Sequence, residues 1–443
     1  MNLRPDAANR LVVSDRSKRS QREASASSTT ENTAYLPVFV FALFFFFGGI
    51  TSLNDVIIPK LKELFTLSYA EAMTVQSAFF GAYLLISLPA AAVVRRIGYM
   101  RTAVLGLALM MCGCLLFVPA SSSARFEMFL LALFVVAIGI TVLQIVANPL
   151  ISHLGLQSTV HSRLTFAQAF NSLGTMVFPY VGSVLILGSL DTANPRSLAG
   201  RALEQYRIEA THIISSTYLW LAALLAVLGL LVWAHRNHLR EEHAGGSGWR
   251  EAVSLLRLPR FAFGAAGIFL YVGAEVAIGS IIVNYLVQHD VLGLGQEAAG
   301  KHVPFYWGGA MVGRFIGAYL LRIISPGKVL AMSAATVIAL LFISSHTSGV
   351  LSGWSLLSVG LCNSIMFPTI FALASEGLGS RAASASGIIG VAIVGGAVIP
   401  PLTGQVADVI GLKAALLVPA ICYAGILAYG IYARRPALLA TSH

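Results

Sequence analysis

Hydrophobic residues fill most of this chain in long blocks, each separated from the next by a short polar connector. The blocks lie near 36–58, 72–94, 102–119, 127–149, 164–187, 212–234, 260–287, 303–322, 329–346, 350–374, 384–405 and 413–433. Each reaches the roughly 17 to 25 residues that a helix needs to cross a bilayer, and the strict alternation of a barrel strand is missing. The pattern predicts an all-α integral membrane protein of about twelve transmembrane helices.

The connectors set the organisation. Residues 1–34 are polar and rich in Ser, Thr and Arg, so they read as a disordered tail rather than a cleaved signal peptide. The segment HRNHLREEHAGGSGWREAVSLLRLPR, from His235 to Arg260, is basic and glycine-rich, as expected of a linker between two six-helix bundles. The expected units are a tail at 1–34, a first bundle at 35–235, a linker at 236–259, a second bundle at 260–434 and a tail at 435–443. A repeat supports the division. Gln144 precedes Pro149 by five, and Gly174 precedes Pro179 by five; in the second half Asn363 precedes Pro368 by five, and Gly396 precedes Pro401 by five. Gly182 and Gly404 follow the later prolines by three, and Arg163 and Arg381 lie in the two connecting loops. Halves repeated in the same order, related by an axis along the membrane normal, mark one transporter architecture.

Composition agrees: 57% of residues are hydrophobic and only 11% charged, against about 25% charged in an ordinary soluble domain. The net charge of +10 is explained by topology. Basic residues gather at Arg16, Lys18, Arg19 and Arg22, at Arg95, Arg96 and Arg101, and at Arg236, Arg240, Arg250, Arg257 and Arg260. By the positive-inside rule this predicts a multi-pass plasma-membrane protein with both termini cytoplasmic, and no nucleic-acid partner. Cys112, Cys114, Cys362 and Cys422 all fall in apolar spans and read as small hydrophobes, with no metal site and no cofactor expected. Neither a zinc pair nor GxxxxGK[ST] occurs, and no catalytic set suggests an enzyme.

The polar residues inside the apolar blocks are the candidate chemistry, because an unsatisfied amide in hydrocarbon costs several kcal/mol. Gln168, Asn171 and Thr175 share one helix face at i, i+3 and i+7, as do Thr141, Gln144 and Asn148. Asn54 and Asp55 stand just before Pro59. Interhelical packing is the ordinary use of such amides. Several on three spans together describe a polar cavity suited to a ligand whose hydroxyls both donate and accept. Asp55 reads either as a site carboxylate or as one near the outer interface within reach of Lys60 and Lys62. Glu275 reads as a ligand for a hydroxyl group, a proton carrier or the partner of an intramembrane cation such as Arg314. Asn284 lies nine residues later, half a turn out of phase. Phe305, Tyr306 and Trp307 open the eighth span, where an interfacial belt is the commoner reading and stacking on a ligand the rarer. Gly309, Gly313 and Gly317, spaced by four, predict close helix approach.

LNDVIIP, LQIVANP, SRLTFAQAFNSLG, YVGAEVAIGSIIVNYL, FYWGGAMVGRFIG and NSIMFPTIFALASEGLG, in this order from about residue 36 to 434, resemble the fucose permease family of the major facilitator superfamily, and its glucose/galactose transporter branch in particular. The resemblance implies two six-helix bundles around a central sugar site reached by alternating access. It also implies proton coupling through an aspartate in the first span and a glutamate in the fourth. Asp55 matches the aspartate; Gln144 stands in place of the glutamate, so neither fucose nor the two-acid relay carries over as it stands. Gln168 and Asn171 match sugar-contacting positions. The loop VVRRIGYMR, 93–101, resembles the superfamily's Gly/Asp/Arg loop but lacks its acid.

The expectation is a monomeric secondary transporter that imports a hexose, glucose or galactose, with a proton or sodium. An N-acetylhexosamine or fucose transporter, a sugar uniporter and an effluxer of the same fold are the alternatives. The expected substrate-binding residues are Asn54, Gln144, Asn148, Gln168, Asn171, Glu275, Asn284 and Asn363, and the cation-coupling residues Asp55 and Glu275.

Overall fold

The computed structural model describes residues 36–153, 160–187, 200–234, 253–376, 378 and 382–434. Both expected tails and most of the expected linker lie outside the described residues. The described residues form helical spans in the predicted order: α1 (Leu36–Leu64), α2 (Tyr69–Ile97), α3 (Tyr99–Leu115, continued by Phe117–Ser123), α4 (Phe126–His153), α5 (Val160–Gly182, ending in a π-helical turn over Ser183–Leu187) and α6 (Gly200–Ala234). There follow α7 (Pro259–Val287), α8 (Val303–Ile323), α9 (Pro326–His346), α10 (Gly349–Asn363, then Met366–Ser375), α11 (Ala382–Ala392, then Gly395–Ile410) and α12 (Leu412–Ala415, then Leu417–Ala433). Ten of these are long and apolar enough to cross a membrane by length and hydropathy alone. The others are α2, which carries Glu71, Gln76, Arg95 and Arg96, and α8, which carries Arg314 and Arg322.

Local chemistry explains several boundaries. Ser68 caps α2 in a reciprocal box: Glu71 N–H donates to the Ser68 hydroxyl at 3.2 Å and Ser68 N–H to the Glu71 carboxylate at 2.8 Å. Where α10 breaks, Ser364 and Ile365 form a turn; α11 breaks at Ile393 and Val394. The helix α6 starts at Gly200, well before the apolar block at 212, because the polar run GRALEQYRIEAT extends it beyond the hydrophobic stretch.

Packing repeats with an offset of six spans. In the first six, α1 packs on α5, α3 on α4 and α6, and α2 on α4; in the second six, α7 packs on α11, α9 on α10 and α12, and α8 on α10. Between the two sets, α2 meets α11, α5 meets α8 and α1 meets α7, a pattern that a two-fold axis maps onto itself. Glycines set the close approaches. A Cβ on Gly174 would stand 2.9 Å from Gly49 N, at the α1–α5 crossing. Gly309, Gly313 and Gly317 all face α10, as their spacing predicted: Cβ atoms there would meet Leu361 N at 3.1 Å, Ser364 Oγ at 2.5 Å and Ile365 Cβ at 3.2 Å.

The end of the bundle away from the chain's described ends carries the 65–68 and 288–302 connections and is called distal here. Contacts between the two sets of six spans gather from mid-depth to this end. Asp408 on α11 accepts from the backbone of Tyr69 and Ala70 on α2, Ser77 Oγ donates to Ala397 O at 2.7 Å, and Gln296 Nε2 donates to Glu63 at 3.0 Å. A Cβ on Gly300 would lie 2.6 Å from Ser183 Cβ. Nearer the chain's ends the packing opens: a Cβ on Gly387 or Gly390 would meet no atom within 4 Å.

Candidate functional site

The site is built where α1, α2, α7 and α8 converge. Asp55, one residue after a fully buried Asn54 on α1, is itself buried. Its Oδ2 accepts from Trp307 Nε1 on α8 at 3.0 Å, and its Oδ1 takes a longer bond from Gln76 Nε2 on α2 at 3.4 Å. The same Gln76 amide donates to Ser280 Oγ on α7 at 2.8 Å, and the Ser280 hydroxyl donates to Val276 O. Gly279 leaves the space: a Cβ there would stand 3.2 Å from Asp55 Oδ2. Four helices from both sets of spans therefore meet at one carboxylate. The amide of Asn54 and the Oε1 of Gln76 have no partner among the described residues. A buried amide without partners costs about 1–3 kcal/mol by mutational measures, and these atoms keep that hydrogen-bonding capacity unused among the described residues.

Glu275, on α7, belongs to a second cluster. Tyr271 OH donates to its Oε1 at 2.7 Å, and Tyr306 OH from α8 donates to its backbone carbonyl at 3.1 Å. Asn363, fully buried at the end of the first piece of α10, donates to Tyr306 OH at 2.9 Å and accepts from Tyr423 OH of α12 at 2.8 Å. The clusters touch through neighbours on α8, since the Tyr306 and Trp307 rings lie edge to face 5.1 Å apart. Asp55 and Glu275 are near enough to repel when both are charged.

The amides expected to bind a ligand divide. Gln168 stands at the α5–α8 seam, half-buried, and its backbone carbonyl accepts from Ser172 Oγ at 3.1 Å and Arg314 Nη1 at 3.4 Å. Arg314, exposed on α8, makes its short bond to Ser172 Oγ, 2.6 Å away, rather than to Glu275. Asn171 Nδ2 donates to Phe44 O on α1 at 3.3 Å, beside Gly48, so this amide serves helix packing. Gln144, half-buried on α4, lies beside the Tyr83 hydroxyl of α2. Asn284 has a buried Nδ2 without a partner among the described residues. The side chain of Asn148 lies outside the described residues.

The sequence pattern missed Gln76, Ser280, Tyr271, Tyr423 and Ser172. Gln76 was available to the same reasoning that singled out the other amides, since it interrupts an apolar run. Tyr306 and Trp307 are corrected: they do not form an interfacial belt. The short helix Gln296–Gly300 precedes α8, and Tyr306 is fully buried while Trp307 reaches Asp55; only Phe305 is exposed, against Trp354.

A family model described as Major Facilitator Superfamily matches residues 40–401. The chain belongs to the Major Facilitator Superfamily. Its twelve-span packing and membrane-crossing helices are those of this superfamily, and its relatives place it with the fucose permease family and its glucose/galactose branch. It is 45% identical to the glucose/galactose transporter of Brucella abortus over 405 residues, 91% of this chain and 95% of that one. It is 31% identical to the L-fucose-proton symporter of Escherichia coli, over 90% of this chain and 93% of that one. The crystal structure of the Major Facilitator Superfamily transporter FucP in the outward conformation superposes with a TM-score of 0.68 at 28% identity, covering 91% of this chain and 99% of that chain.

Proposed function

We propose that this superfamily member imports a hexose of the glucose and galactose type by alternating access, driven by a proton or sodium gradient across a bacterial inner membrane. The observation that carries the reading is Asp55, a buried carboxylate on α1 held by Trp307 from the other set of spans, beside unpartnered amide atoms of Asn54 and Gln76. A group whose ionic state is tied to contacts between the halves can bias one conformation over another, which is what coupling requires. Gln168 and Gln144 supply amides for sugar hydroxyls, with Asn54, Asn148 and Asn284 as further candidates on the same chemistry. The names of the relatives, a glucose/galactose transporter and an L-fucose-proton symporter, support both the cargo and the ion.

With 35–235 and 260–434 as the two bundles, 236–259 as a cytoplasmic linker and both tails in the cytoplasm, the distal end faces outward. The closed distal end then makes this an inward-open state of a monomeric transporter, its apolar surface covered by the lipid bilayer. The test is uptake of radiolabelled D-glucose and D-galactose into proteoliposomes under a proton gradient, a sodium gradient and neither, with N-acetylglucosamine and L-fucose as competitors. Gradient-driven accumulation of either hexose supports the reading. Equilibration without accumulation under both gradients would replace it with a uniporter, a second reading favoured by Gln144, which cannot titrate.

A further inference from the structure

Tyr271 presents one hydroxyl proton to two acceptors. Its oxygen lies 2.7 Å from Glu275 Oε1, one turn later on α7, and 3.0 Å from the carbonyl oxygen of Asn363. Asn363 is the last residue of the first piece of α10, immediately before the Ser364–Ile365 turn that breaks the helix, and carbonyls at a helix end lack intrahelical partners. A phenol has a single proton and cannot donate fully to both.

We infer that Tyr271 is a positioning residue that reports the protonation state of Glu275 to the break in α10. When Glu275 is ionised, its carboxylate is the stronger acceptor and draws the Tyr271 proton away from Asn363. When a proton from the aqueous phase arrives at Glu275, the new carboxyl O–H donates to the Tyr271 oxygen, and the Tyr271 proton passes wholly to the Asn363 carbonyl. One O–H bond forms, at Glu275, and Tyr271 stays neutral in both states. The rest of Asn363 cannot adjust to compensate, because its amide is already committed to Tyr306 and Tyr423. The contact that changes therefore acts on the α10 break, which packs on the α8 glycine seam; α8 carries Trp307, the partner of Asp55.

The groups facing Glu275 are Tyr271 on its own helix, Tyr306 and Arg314 from α8, Tyr423 from α12 and Asp55 from α1. Tyrosine and arginine ordinarily change charge only in strongly alkaline solution, so Asp55 and Glu275 are the groups whose charge responds to pH. The inference rests on the proposed reading of a cation-linked sugar transporter, and its test separates the two.

The full-length protein in liposomes is assayed for exchange of radiolabelled D-galactose, without any gradient, between about pH 5 and about pH 9. The apparent KM of the wild type should vary with pH. Tyr271→Phe and Glu275→Gln should each remove the same part of that profile, leaving the part that Asp55 contributes, and the double variant should match either single one. Tyr285→Phe, which removes a buried hydroxyl bonded to Ser344 and Ser352 elsewhere on α7, should keep the wild-type profile. Incorporation of 3-fluorotyrosine at position 271, which retains the hydroxyl and makes it a stronger donor, should displace the profile without depending on how Tyr271→Phe folds. A flat wild-type profile, a wild-type profile in Tyr271→Phe, additive effects in the double variant or no displacement by fluorotyrosine would each overturn the inference. Accumulation under a gradient is measured on the same vesicles. Its absence with the expected profiles overturns the coupling reading alone, and its presence with an unaltered Tyr271→Phe profile overturns the Tyr271 role alone.

Discussion

Asp408, at the end of α11, grips the first turn of α2 through the backbone of Tyr69: one carboxylate oxygen accepts from Tyr69 N–H at 2.7 Å and the other from Ala70 N–H at 2.8 Å. Charge-assisted bonds at a helix N-terminus are reinforced by the helix dipole. Among the described residues the α5–α8 seam has no equivalent carboxylate, because the residue seven beyond Pro179 is Ile186, where Asp408 is seven beyond Pro401. Asp408→Asn should weaken the distal closure by about 0.5–2 kcal/mol, a shift of roughly 2- to 30-fold toward a distally open form. Spin labels at Thr66 and Val409, both exposed, report this as a longer distance population in double electron–electron resonance. Identical distance distributions in wild type and variant would show that the grip contributes no closure energy.

Asp55→Asn keeps the shape of the Asp55 side chain and removes its charge. The expected outcome is loss of gradient-driven sugar accumulation with exchange retained, read in proteoliposomes. Full accumulation by this variant would remove Asp55 from coupling.

Gln168 and Asn171 should part company. The Gln168 side-chain amide has no hydrogen-bond partner among the described residues, so Gln168→Ala should raise the sugar dissociation constant by about 2- to 12-fold, the equivalent of one neutral hydrogen bond. Asn171 donates to Phe44 O at the α1–α5 crossing, so Asn171→Ala should lower the melting temperature in detergent more than it lowers affinity. Tryptophan-quenching titrations and thermal melts distinguish them, and equal loss of affinity in both would return Asn171 to the sugar site.

Lys413 donates to Asp290 at 2.6 Å and to Thr347 O at 2.8 Å, tying together connections at the distal end. The hydrogen bond from Lys413 holds the Asp290 carboxyl below its ordinary value. A lowered folded-state value means the stabilisation is present above the ordinary carboxylate range and is lost as pH falls through the folded-state value. The melting temperature of the wild type should therefore exceed that of Lys413→Gln at neutral pH, with the gap closing as pH falls through the lowered folded-state value of Asp290. Asp290 is largely exposed, so the gap should be small. A gap that persists in acid would assign it to the Thr347 contact instead.

Block length and helix breakers placed all the spans because the bilayer imposes a minimum apolar length on each. They could not place the start of α6, since residues 200–211 are helical without being apolar. The acids and amides stood out for the opposite reason, as groups expensive to bury: Asp55, Glu275 and Asn363 were all visible this way. Their partners were not. Gln76 meets Ser280 across 204 positions of sequence, and Trp307 meets Asp55 across 252. Such pairs depend on how α2 and α7, or α1 and α8, face each other, which no periodicity within one helix encodes. The Asn171 amide shows the converse, since a polar stripe cannot say whether its partner is a ligand or the next helix.

The bond between Trp307 and Asp55 sets an order of events. In the proposed inward-open reading its two ends belong to opposite bundles that part when the distal side opens, so Asp55 gives up an indole donor at the moment it gains access to outside solvent. Release and exposure are thus a single step, and the carboxylate has no occasion to trade ions with the outside while the inner route stands open. A leak would require a distal opening that leaves α8 resting on α1.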